Sequence, residues 1–318
     1  MFLIILATLL AATSPVVLAQ SPSPACNTTL LRLATDRYVA TQSTGSLSYL
    51  FDFPPLSPSS SSPSSSFITL KENGRNLTLS PSSSSAFLNS SSLLTTPLRI
   101  DHRHSIYDSI QCASFTSLVS TSPSYPAVIG AQLWLDPSTH RISLLDRIAT
   151  TTGDWAFNAT GTLYYSLREN WGPIPPAQQD SRETIKAAGD AYLDIFKSAT
   201  VQVPWGTPCA RLEGGAYTGR GTPNDTCNLG VIQSYDMPNR RYVIDESVGV
   251  VSLLLEFGSI GNAPDSHLFR VEGGRLRFIH TMTYCETKPN CGFTLPGGMG
   301  GGTVGKRTWR RRWRLNGQ

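Results

Sequence analysis

The chain has 318 residues, of which 40% are hydrophobic and 15% charged, with a formal net charge of +4 and six cysteines. It is long enough for more than one domain and too apolar for a disordered protein. The basic charge is local: Lys306, Arg307, Arg310, Arg311, Arg312 and Arg314 stand in a stretch without an acid, so the remainder is slightly acidic. No nucleic acid is therefore expected on the folded body.

Residues 1–19 read as a signal peptide. Phe2 to Ala19 are apolar or small, Pro15 interrupts them, and Val17-Leu18-Ala19 before Gln20 is a small-residue cleavage pattern. No other stretch is apolar enough for a membrane span, so a secreted, extracellular protein is expected. Sequons at Asn27, Asn76, Asn89, Asn158 and Asn224 suit that compartment, as does an even set of cysteines. Short loops favour Cys209 with Cys227 and Cys285 with Cys291, which leaves Cys26 for Cys112. None of these has C-x-x-C spacing, which speaks against a metal role.

In chain order, apolar residues at Leu30, Leu31, Leu33, Ala34, Tyr38 and Val39 predict a helix over 26–42. Ser/Pro-rich tracts at 56–67 and 80–92 cannot bury a core and read as solvated insertions around a short strand at 67–70. Strands follow from Leu98 to Thr150. The segment 171–177, with Pro173, Pro175 and Pro176, reads as a linker. A second helix is predicted over 182–197, opened by Asp180-Ser181, then a short strand at 201–203 and a long one at 242–257. Gly273-Gly274 predicts a hairpin turn. A Gly-rich stretch and an Arg/Trp-rich tail with Trp309 and Trp313 close the chain, and both are expected to be disordered.

Each half thus runs from a helix into strands. The final strands align without a gap, setting Arg141, Leu144, Leu145, Asp146 and Ile148 opposite Arg275, Phe278, Ile279, His280 and Met282. Two copies of one unit are expected, over 22–170 and 178–292, with a tail at 293–318.

Several strings carry a resemblance. VPWGTPCARLEGGAY (Val203–Tyr217), RRYVIDE (Arg240–Glu246), PDSHLFRVEGGRLR (Pro264–Arg277), GDWAFNATGTLYY (Gly153–Tyr165) and WGPIP (Trp171–Pro175) resemble a family of secreted fungal proteins of unknown function. The likeness covers most of residues 98–291. It implies an α+β fold of two tandem cystatin/SnoaL-like (nuclear-transport-factor-like) rolls, each a helix packed on a curved antiparallel sheet. The family supplies no catalytic residues to carry over. The Ser-rich insertions and the Arg/Trp tail depart from its pattern.

Such a roll leaves a conical pocket under its helix, where an acid and a base can act on a small apolar substrate. Alternation on the last strand places His280 among apolar neighbours, with His267 on the adjacent strand as its companion. Asp245 or Glu246, but not both, faces the pocket. His280, His267 and Asp245 are therefore the candidate catalytic residues. Arg211, Glu213 and Tyr217 read as a network fixing the loop around Cys209. His102 and His104, near Asp101 and Asp108, are candidate metal ligands, but a further ligand is not evident, so no metal and no cofactor are expected. The chain carries no G-x-S-x-G and no P-loop. Two readings follow: a small-molecule-binding or structural glycoprotein with a small apolar ligand, or a cofactor-independent isomerase, cyclase or dehydratase acting in the second pocket. Oligomeric state is not legible in the sequence.

Overall fold

The computed structural model describes residues 26–53, 67–80, 92–231 and 234–292. The expected signal peptide, most of both Ser-rich tracts, Asn89 and the tail from 293 lie outside the described residues. Helix α1 (Thr28–Thr44) begins at Asn27, whose side chain accepts the Leu30 N–H, and stops at Gly45 with φ of 73°. A single turn, α2 (Ser48–Phe51), follows. Strands β1 (Ile68–Glu72), β2 (Arg75–Leu79), β3 (His102–Asp108), β4 (Ala113–Ser120), β5 (Ala127–Leu135) and β6 (Ile142–Thr150) form one sheet of order β2-β1-β6-β5-β4-β3.

The second half begins after α3 (Ala159–Ser166) with α4 (Arg182–Asp194), capped by the Ser181 side chain on the Thr184 N–H. Strands β7 (Trp205–Glu213), β8 (Ala216–Tyr217), β9 (Arg241–Asp245), β10 (Val250–Phe257), β11 (Ala263–Glu272) and β12 (Arg275–Thr283) then form a sheet of order β8-β7-β12-β11-β10-β9. The two orders are the same, and each sheet is antiparallel except for one parallel pair, β1 with β6 and β7 with β12. The protein is thus an α+β molecule of two six-stranded mixed sheets.

Four layers result. Alternation sends Ile129, Ala131 and Leu133 of β5 toward α1, and Leu253, Phe269 and Ile279 of the second sheet toward α4. The opposite faces meet through Ile106, Phe115, Val128, Val243, Leu254, Leu268 and Met282, so helix, sheet, sheet and helix stack in that order. Gly130 allows the sheets to approach: a Cβ there would sit 2.7 Å from the Ser266 hydroxyl. Strand register makes Gly130 and Ser266 equivalent positions, so an approximate twofold axis passes between them.

The edge strands obey that axis. Asp108, the last residue of β3, accepts the Ile244 N–H of β9 at 3.0 Å, and Asp245, the last residue of β9, accepts the Tyr107 N–H of β3 at 2.9 Å. Arg182 at the start of α4 pairs with Asp108, so the buried carboxylate is charge-compensated.

Two elements differ from expectation. The run 242–257 is two strands, because Asp245 accepts the Ser247 N–H and Gly249 takes φ of 57°, closing a turn. A Cβ at Gly249 would also lie 2.4 Å from the Val271 carbonyl oxygen. The strand expected at 201–203 instead starts after Pro204, at Trp205. At the predicted hairpin, Gly273 and Gly274 both have positive φ, 56° and 69°. Disulfides join Cys26 to Cys112, Cys209 to Cys227 and Cys285 to Cys291, the pairs the spacing favours. They are compatible with an oxidising compartment. No helix among the described residues is long and apolar enough to cross a membrane.

Candidate functional site

The space under α4 is a cleft of about 690 Å³, its open mouth included. Tyr192 of α4, Phe196 in the turn that follows it, Trp155 and Phe257 give it aromatic walls, while Arg211, Glu213, His267, Thr281 and Thr283 line the sheet side. The Cys209–Cys227 bridge ties β7 to the segment that brings Leu229 and Val231 to the rim.

His267 lines the cleft, and Asp265 sits two residues away on β11, hence on the same face of the strand. Both are buried, at 1% and 0% exposure, and the His267 Nδ1 is hydrogen-bonded to Asp265 Oδ1. The other carboxylate oxygen accepts from the Thr283 hydroxyl, directly across on β12. In the neutral tautomer that donates from Nδ1 to this carboxylate, the lone pair lies on Nε2. That nitrogen has no hydrogen-bond partner among the described residues, and its ring lines the cleft. Tyr192 lies between two polar groups: its ring centroid is 5.7 Å from that of His267 and 5.1 Å from the Arg211 guanidinium carbon. Burial pushes the Tyr192 hydroxyl well above the usual phenol range. Arg211 pairs with Glu213 at 3.4 Å, and its buried Nε has no hydrogen-bond partner.

The three expected catalytic residues do not converge. His267 lines the cleft, but a bulge between Leu276 and Phe278 flips the rest of β12, so His280 points away from α4 toward the first sheet. There it is hydrogen-bonded to Glu169, whose carboxylate also accepts from Trp171 Nε1 at 3.0 Å and the Tyr217 hydroxyl at 2.9 Å. Asp245 is likewise outside the cleft, holding Tyr107 and Ser247. Glu246 lies 3.9 Å from Arg182 and does not line the cleft either. The residues that sequence reasoning missed are Asp265 and Tyr192, and it read Arg211 and Glu213 as a loop network. The spacing Asp265-x-His267 on one strand was the available signal.

His102 and His104, the candidate metal ligands, belong to the contact between sheets. The His104 ring lies 5.1 Å from Trp171, which is itself 4.8 Å from His280. Burial first, then the neighbouring His280, His102 and Arg270 charges, lower the His104 pKa to about 3. Asp101 is engaged by Thr121 and Asp108 by Arg182. Among the described residues no group of three or more His, Cys, Asp or Glu side chains is placed to hold a metal ion.

The first unit shows what the cleft replaces. Register equates Asp265, His267 and Thr283 with Ile129, Ala131 and Ala149, and Thr281 with Arg147. Arg147 is fully buried under α1, 3.0 Å from Glu72 and beside the Tyr38 ring. Glu72 corresponds to Glu213, but Leu70 stands where the second unit has Arg211. The arginine has changed strand between the units: from β6 it fills the space under α1, and from β7 it leaves the cleft open.

Residues 178–283 match a family described as a Domain of unknown function (DUF8021), a stretch that coincides with α4 through β12. No curated protein and no solved structure matches the chain.

Proposed function

We propose that the chain is a secreted glycoprotein of two SnoaL-like rolls, the second of which binds a small, largely apolar ring compound under α4. The observation that carries this reading is Thr281 where the first roll has Arg147: the short side chain leaves an aromatic-walled space that its counterpart fills. The neutral probe N-phenylnaphthylamine tests it by fluorescence titration. The double variant Thr281→Arg with Arg211→Leu rebuilds the first roll's side-chain arrangement and is expected to weaken probe binding about tenfold or more, a loss of about 1.4 kcal/mol or more. Equal affinity in that variant, with an unchanged circular-dichroism spectrum, removes the cleft as the binding site.

Sugar attachment is expected to follow the caps. Asn76 and Asn224 are exposed. Asn158 instead caps α3 through the Gly161 N–H at 2.9 Å and is wedged so closely that a Cβ on Gly215 would fall 2.3 Å from its own Cβ. Glycopeptide mapping of the secreted protein should find sugar on Asn76 and Asn224 and none on Asn158. A largely occupied Asn158 would contradict this packing.

A further inference from the structure

We infer that the second cleft transfers protons at carbon: His267 is the base, Asp265 its positioning residue, and Arg211 the group that receives negative charge on a substrate oxygen. This rests on the cleft being a small-molecule site. The substrate class is a flat, apolar ring compound with an acidic C–H conjugated to an oxygen.

The geometry carries each part. Nδ1 is held by a carboxylate that is itself held by Thr283, so the ring cannot turn and Nε2 stays available to the cleft. Tyr192 joins both ends of the site, because that buried side chain in the cleft wall packs on His267 and on Arg211. The guanidinium there has a buried nitrogen with no partner, the kind of donor that a developing oxyanion satisfies. Its pairing with Glu213 keeps the empty cleft from holding an uncompensated charge. The whole constellation is confined to one half of the molecule: Ile129, Ala131 and Ala149 make the matching positions of the first sheet incapable of acid–base chemistry. If Asp265 and His267 served only to fasten a sheet to its helix, the first unit shows that apolar residues suffice for that.

Ring-opening of nitrobenzisoxazole is a probe that needs no co-reactant. A base removes the ring C–H proton, the C–H electrons form the nitrile, the N–O bond breaks, and the departing pair remains on the phenolate oxygen. The proton on Nε2 then passes to water. Wild-type protein is expected to open the probe with saturation, and His267→Gln to lose about 10²- to 10⁴-fold in kcat. Asp265→Asn should lower kcat while leaving KM near its wild-type value. Arg211→Met should act mainly on kcat. N-phenylnaphthylamine affinity, measured on every variant, reports whether the cleft survives. Probe opening by wild type no faster than by His267→Gln, with dye binding retained, overturns proton transfer and leaves the binding reading standing. Loss of dye binding in wild type itself overturns both.

Discussion

Glu72→Gln is expected to destabilise the protein by about 3 to 5 kcal/mol, among the largest effects of any single replacement outside the disulfides. Arg147 is 0% exposed, and its side chain pairs with Glu72 at 3.0 Å. None of its three guanidinium nitrogens makes a well-aligned hydrogen bond, so Glu72 supplies nearly all the compensation for a charge removed from water. Glu72 also accepts from the Ser92 hydroxyl at 3.0 Å and from the Leu93 N–H at 2.9 Å, and glutamine keeps only part of that. The diagnostic is the pair: adding Arg147→Met should recover most of the loss, because an apolar side chain replaces a buried ion pair at little net cost. Urea denaturation of both single variants and the double gives the coupling. Simple additivity would show that the two side chains do not depend on one another.

The comparison that isolates Arg147 shows what a sequence can and cannot disclose. Both helices, the Gly273-Gly274 hairpin and the duplication rest on short-range periodicity and turn chemistry, and these were readable. Which face a strand residue occupies is different. One extra residue reverses it, and the bulge before Phe278 leaves no mark in the apolar pattern of β12, so His280 was assigned to the wrong side. The run 242–257 looked continuous because Val248 and Val250 flank Gly249 with strand-like residues, and only the aspartate cap and the positive φ show the turn. Asp265 escaped notice for a further reason. Its role needs Thr283 across the sheet and a ring two residues on, and such a pairing exists only once the register is known.

Acidification should weaken the fold between about pH 6.5 and about pH 3, and His104 should account for much of the change. Its folded pKa is lowered to about 3 from 6.5, so below the ordinary value the unfolded chain takes up a proton that the folded protein refuses. The stabilisation from a neutral His104 is therefore complete above about pH 6.5 and is lost progressively down to about pH 3. Linkage sets a ceiling of roughly 4 to 5 kcal/mol, reduced by the part of the ring that solvent reaches. His102 shifts the same way, whereas burial raises the Asp154 pKa and opposes the trend slightly. His104→Phe keeps a ring against Trp171 and removes the titration. Denaturation curves at pH 7 and pH 4 should show a much smaller drop for the variant than for wild type. The same drop in both would place the acid sensitivity elsewhere, for instance in the salt-bridged Asp190, whose carboxyl pKa is held down by hydrogen bonds from Lys186, Tyr242 and Arg240 against the upward push of burial.

The reciprocal aspartates also bear on solubility. A strand at the margin of a sheet offers unpaired N–H groups that invite strands from other molecules, and β3 and β9 are both marginal. Here each margin is guarded by a carboxylate from the opposite half, with Asp108 on Ile244 and Asp245 on Tyr107. Covalent linkage keeps the guard present at any dilution, which a pair of separate chains cannot ensure. Joining the two halves in one polypeptide thus gives protection from self-association that does not depend on concentration.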